Sequence, residues 1–213
     1  MKRILSLASV LVVAATLLSM QPVALQAADA AAAMAAYKAV LQNTMKFYST
    51  DDKKEYTLNE FDYWNTEEHI PLKVLRFAVI AMRSDGIPKL VLELTSGFDG
   101  AFEILHYENG KVYGFNHPYR GISGLTADGI YSGASGADDG GFYTASIVKD
   151  SYTQETLGYS ESGVDGTISY YIGKSNVTKT RYDVFLEKML AHARENPAVW
   201  HDFADADIAS VLK

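Results

Sequence analysis

No cysteine occurs in the 213 residues. Disulfides, thiolate metal ligands and thiol nucleophiles are therefore all excluded. So is a lipid-modified N-terminus, which is built on a cysteine. Positive charge is also in deficit: 19 Lys and Arg face 26 Asp and Glu, for a formal net charge of −7. Such a surface repels phosphate backbones and anionic headgroups, which disfavours nucleic acid and membrane surfaces as partners. The five histidines, His69, His106, His117, His192 and His201, form no His-Glu-x-x-His and no close pair. No apolar run beyond residue 30 reaches the ~20 residues of a spanning helix. Neither a metal nor a cofactor is expected.

What the N-terminus does contain is an export signal. Lys2 and Arg3 precede a mostly apolar run from Ile4 to Leu18, Pro22 ends it, and Ala28-Asp29-Ala30 fits the small-x-small cleavage rule, with Ala27 and Ala28 as alternative cut sites. The apolar run is shorter than a membrane span, so a cleaved signal over residues 1–30 is favoured over an uncleaved anchor. The mature chain, 31–213, then carries a net charge of about −8. It is expected as one domain, held by its core without cross-links and secreted to the medium or the cell-wall space.

Along the mature chain the hydrophobic period changes twice. Tyr37, Leu41, Met45 and Tyr48 recur at helical spacing and predict a helix over 31–48. Strands are predicted at 72–82, 90–94, 102–107, 111–116, 142–148, 152–159 and 167–172. Asn109-Gly110 between two alternating runs predicts a two-residue hairpin in which His106 opposes Tyr113 and Phe102 opposes His117. His106 and His117 then share a face about 13 Å apart, too far to hold one metal ion. Seven glycines from 121 to 141 predict tight turns and short strands, or one flexible loop. Tyr182, Phe185, Leu186, Met189, Leu190 and Ala193 restore the helical stripe, with Thr180 and Asp183 as a capping box and Asn196-Pro197 as the stop. A last short helix from Asp205 would bury Ile208, Val211 and Leu212. The expected class is α+β: N-terminal helix, antiparallel β-meander, C-terminal amphipathic helices.

The strand-turn-strand from Phe77 to Leu94, with Arg83, Asp85, Gly86, Pro88, Lys89 and Glu93, resembles a segment of uncharacterised secreted proteins and lipoproteins of Gram-positive gut bacteria. The Leu105–Tyr113 hairpin, the Ser-Gly-Ala near residue 135 and Leu157–Glu161 are similar to the same group. The resemblance spans most of the mature chain and implies no activity. Its usual Asp-x-Asp-x-Asp-Gly loop would suggest calcium, which needs several carboxylate oxygens. Here Ala81, Arg83 and Lys89 stand at ligand positions, and two of them are cationic, so Ala81 to Lys89 reads as a plain turn.

The remaining motifs weaken on inspection. Gly173-Lys174-Ser175 has Ile168 where a phosphate loop needs its first glycine, and Gly133-Ala-Ser135-Gly-Ala137 lacks the last glycine of a nucleophile elbow. Asp202, Asp205 and Asp207 suit the first turn of a helix. Asp138-Asp139 with Glu161 could serve a glycan or cell-wall hydrolase, although Asp-Asp-Gly-Gly is ordinary turn chemistry. Fourteen tyrosines and two tryptophans are the chain's most distinctive feature. Aromatic rings suit stacking on sugars or anchoring a protein. The expected function is therefore an exported, non-catalytic module binding a glycan or a protein, with Tyr63, Trp64, His117 and Tyr119 as binding residues. An exported carboxylate-dependent hydrolase is the alternative, and no catalytic residue is assigned.

Overall fold

The computed structural model describes residues 28–61, 72–82, 86–95, 100–134, 136 and 139–213. Helix α1 covers 28–41 and ends earlier than the predicted 31–48. Asn43 turns left-handed at φ 57°, and the Thr44 and Met45 amides both close back on the Ala39 carbonyl. That capped end releases the chain into an extended form. Met45 therefore falls beyond the helix, and Tyr48 lies in strand β1 (Phe47–Ser49). β1 pairs antiparallel with β2 (Lys54–Tyr56) and parallel with a later strand.

The meander follows: β3 (Lys73–Ile80), β4 (Lys89–Thr95), β5 (Gly100–Glu108) and β6 (Lys111–Pro118). Asn109 and Gly110 both take positive φ, 53° and 83°, and the β5–β6 register is the expected one, His106 against Tyr113 and Phe102 against His117. The mirror-image turn matches the twist of the flanking strands.

The single predicted meander is in fact divided between two sheets. After β6 the chain turns at Tyr119–Gly121 and starts a second sheet with β7 (Tyr131–Ala134), β8 (Gly140–Val148), β9 (Ser151–Ser162), β10 (Ile168–Ile172) and β11 (Ser175–Val177). Helix α2 (Lys179–Glu195) precedes the short strand β12 (Trp200–Asp202) and helix α3 (Asp205–Val211). The orders are β12-β3-β4-β5-β6-β1-β2 and β11-β10-β9-β8-β7.

Alternation explains why two sheets form. Leu90, Leu92 and Leu94 pack with Tyr37, Val40 and Leu41 of α1 and with Ile208 and Leu212, whereas Val91 packs with Ile104 and Phe115 against Tyr131, Ala145 and Ile147 of the second sheet. Successive residues face opposite sides, so a strand this apolar needs cover on both. The α1 side is stitched by Tyr37, whose hydroxyl donates to the Pro88 carbonyl at 2.8 Å and accepts the Tyr107 amide at 3.0 Å.

Capping of α2 also differs from expectation. Thr178, rather than Thr180, is the N-cap, accepting the Arg181 amide, and Asp183 instead pairs with Lys179 at 2.9 Å. A residue at N-cap must be extended, and Thr178 is, at φ −69° and ψ 153°. Asn196 ends the helix as expected. Among the described residues, no helix is long and apolar enough to cross a membrane.

Candidate functional site: an aromatic cleft between the sheets and α2

One cross-strand row of the first sheet runs Asp202, Arg76, Glu93, Phe102, His117, and the next runs Trp200, Ala78, Val91, Ile104, Phe115. The middle of the second row is sealed under the second sheet. In the first row burial falls away from Phe102 towards Glu93 and Arg76, which is exposed. There the layers separate, leaving a cleft of about 1040 Å³.

The floor is built from rings and an ion pair. The Arg76 guanidinium lies 4.6 Å from the centre of the Trp200 ring and its Nε pairs with Glu93 Oε2. Phe102 sits 6.3 Å from Trp200, centre to centre. A bulge in β3 between Val74 and Arg76 aims Arg76 onto this face. One wall is the turn at Tyr119 to Leu125, the next is the glycine-rich β7–β8 hairpin, and the last is α2 with Tyr182, Leu186 and Leu190. Tyr119 rests on bare backbone: a Cβ on Gly100 would stand 2.8 Å from its ring.

Helix α2 is held to the second sheet by Tyr182 on Tyr170, 5.2 Å between rings, and by Phe185 on Phe142, 6.2 Å. Its far end is pinned separately. His192 Nε2 lies 3.1 Å from Asp128 Oδ1, which also receives Asn196 Nδ2 at 3.1 Å and the Thr126 hydroxyl at 2.6 Å. Burial opposes ionisation of Asp128, but the bonds from Thr126 and His192 outweigh it and hold the carboxyl below its usual range. The Thr126 hydroxyl is spent on the carboxylate and the Ile130 carbonyl, so it is no nucleophile for His192. This cluster clamps a helix end.

The sequence-predicted site residues scatter. Tyr119 stands at the cleft rim, 66% exposed. Tyr63 and Trp64 lie outside the described residues, as do Ser135, Asp138 and the Arg83–Asp85 turn. His117 turns inward, 4.9 Å from the Tyr152 ring and 6.4 Å from Tyr131, and its Nε2 has no hydrogen-bond partner among the described residues. Burial pushes its pKa down from 6.5 to about 4, against a small upward pull from Asp51. Burial also raises Tyr131 and Tyr152, whose hydroxyls meet at 2.6 Å. His117 thus packs the sheets together.

A pH dependence follows from that placement. The unfolded chain takes up the His117 proton below 6.5 while the folded chain resists until about 4, so stability falls as pH drops through that window. We expect a slope of about 1.4 kcal/mol per pH unit from this group. His117→Phe should flatten the urea-unfolding stability between pH 6.5 and 4 relative to the parent; parallel profiles would refute the assignment.

The carboxylates also separate. Asp139 lines the cleft but its Oδ1 accepts the Ser162 amide at 2.6 Å, the turn chemistry expected of Asp-Asp-Gly-Gly. Glu161 does not line the cleft. Asp207 accepts the Asp202 amide at 3.2 Å and, with Asp205, sits in the first turn of α3. Gly173, at φ 56°, makes the β10–β11 turn. No group of three or more His, Asp or Glu suited to a metal ion occurs among the described residues.

Arg76, Glu93, Phe102 and Trp200 were not singled out as a site by the sequence. The signal that could have found them is cross-strand: Arg76 and Glu93 are charges at core-facing positions of strongly apolar strands. A second groove of about 860 Å³ is lined by Thr144, Ser146 and the stacked Tyr159–Tyr171 pair, rings 4.5 Å apart. Comparison of the chain with known proteins found no matching family model, no matching curated protein and no matching solved structure.

Proposed function

We propose that this chain is exported as a non-catalytic binding module that receives its ligand in the cleft over Trp200. The observation that carries the reading is a concave, aromatic-lined space whose two carboxylates are already engaged within the protein, Glu93 by Arg76 and Asp139 by the Ser162 amide. A large, mostly apolar concavity with a few convergent polar groups is the usual form of a ligand site. Its concavity suits a small or narrow ligand better than a flat protein surface. The export signal and the kinship with secreted proteins of Gram-positive gut bacteria belong to the same proposal, supported by residues 1–30 and by the Phe77–Leu94 segment.

The test uses protein from Ala31 onward, challenged with insoluble wall material, soluble polysaccharides and small amphiphiles. Ligand-induced shifts in the unfolding midpoint are read together with the appearance of reaction products such as new reducing ends. We expect one ligand class to raise the midpoint without product, and Trp200→Ala to remove the effect. Product that grows with time and protein concentration would establish the hydrolase instead. Failure of every class to shift the midpoint would rule out the cleft as a binding site.

A further inference from the structure

We propose that the cleft selects an amphipathic organic anion, its apolar body against Phe102, Trp200, Leu186 and Leu190 and its acidic head on Arg120 at the mouth. The inference rests on the reading of the cleft as a binding site and goes further by naming the ligand chemistry. The first ground is the lining. Tyr119, Ile168 and Leu190 are large apolar side chains left 66%, 39% and 43% exposed, and all three border the cleft. In α2 only Tyr182 is buried, so the rest of its apolar stripe is incompletely covered. Surface of this kind, gathered into one concavity, is stabilised by an apolar occupant that displaces water.

The second ground is charge. In a chain of net charge −7, the cleft carries Arg76 and Arg120 beside Glu93 and Asp139. Arg76 is neutralised by Glu93 and stacked on Trp200, and Asp139 is occupied by the Ser162 amide. Arg120, exposed in the turn that forms one cleft wall, makes no ion pair among the described residues. A guanidinium left unpaired beside an apolar cavity matches a carboxylate or sulfonate head, with two parallel hydrogen bonds. A neutral saccharide would leave that charge unused, and a cationic amphiphile would meet it directly. The third ground is size, since about 1040 Å³ sits at the upper end of the roughly 300–1,000 Å³ typical of small organic ligands.

Trp200 reports on the site if Trp64 is replaced, so the probe is the Trp64→Phe protein from Ala31 onward. It is titrated below their micellar concentrations with dodecanoate and with dodecyltrimethylammonium, and separately with maltohexaose and with phosphatidylglycerol vesicles. We expect a saturable change in Trp200 emission with dodecanoate and little with the cation. Arg120→Gln should weaken dodecanoate about tenfold, while Arg120→Lys retains most of the affinity. Leu190→Asn should weaken it without altering the preference for the anion. Equal affinity for cation and anion, or unchanged dodecanoate affinity in Arg120→Gln, would overturn the proposal. Binding to vesicles but not to the free acid would overturn it in favour of a lipid surface. A response to maltohexaose alone, or silence from all four probes, would overturn it while leaving the binding module standing. That reading falls only when wall material and soluble polysaccharides also fail to shift the unfolding midpoint.

Discussion

Gly158→Val is expected to swing the N-terminal half of α2 off the second sheet, costing about 3 kcal/mol of stability and abolishing ligand retention in the cleft. A Cβ at residue 158 would stand 2.5 Å from Cε1 and 2.8 Å from Cζ of Phe185, and 3.0 Å from the Tyr171 carbonyl oxygen. The carbonyl cannot retreat without breaking the β9–β10 pairing, in which Gly158 opposes Ile172. Phe185 must therefore leave, and with it goes one of the two ring contacts that hold the helix. The Asp128–His192–Asn196 clamp at the other end stays, so the helix pivots and the cleft loses its wall. Urea unfolding measures the stability cost, and Trp200 emission measures the cleft. The companion variant is Phe185→Ala: in the Gly158→Val background it relieves the clash, and the pair should cost clearly less than the sum of the single changes. A Gly158→Val protein within ~0.5 kcal/mol of the parent would show that α2 docks by other means.

Which parts of this architecture are legible in the sequence depends on whether the governing contact is local. The Asn109-Gly110 hairpin is, because two residues set both the turn and the register, and the pairing of Phe102 with His117 follows. The α2 stripe is legible by its period, and its end by Asn196. The early end of α1 is not, because Met45 and Tyr48 continue the helical spacing. The chain leaves the helix at Asn43 since β1 has a parallel partner in β6, 64 residues ahead of Thr50. The division into two sheets is likewise non-local. Strands β3 to β6 and β7 to β11 have the same short apolar patterns, and nothing within a strand says which neighbour it will cover. The cleft was hidden for that reason. Trp200 reaches it only because a three-residue strand, too short to declare itself, pairs with β3. His117 was placed correctly along its strand, yet its partners Tyr131 and Tyr152 come from the other sheet, and they turn a candidate contact residue into packing.

Glu103 is the second place where a large effect is expected, and its sign runs opposite to that of His117. The side chain is fully buried in β5, with Oε2 accepting Asn116 Nδ2 at 3.2 Å and Oε1 without a hydrogen-bond partner among the described residues. Room for it exists because residue 114 is glycine: a Cβ there would come within 2.2 Å of Oε1. Burial drives the carboxyl well above its ordinary 4.5, the Asn116 bond pulls the other way, and the nearby Asp51 and Asp52 push it up again. The folded state thus keeps a proton that the unfolded state releases. With the folded pKa raised, the stabilising protonated form is fully present below about pH 4.5, and its contribution declines as pH climbs towards the folded value. The decline is about 1.4 kcal/mol per pH unit while the folded carboxyl stays neutral. Glu103→Gln keeps the shape of the protonated acid and cannot ionise. It should therefore remove this slope and leave the protein more stable than the parent at pH 8, although a substitution in a fully buried position ordinarily destabilises. Urea unfolding of both proteins from pH 5 to pH 9 decides it. Curves that diverge as pH rises, with Glu103→Gln on top, establish a buried neutral glutamic acid; parallel curves would mean that residue 103 carries its charge in the core.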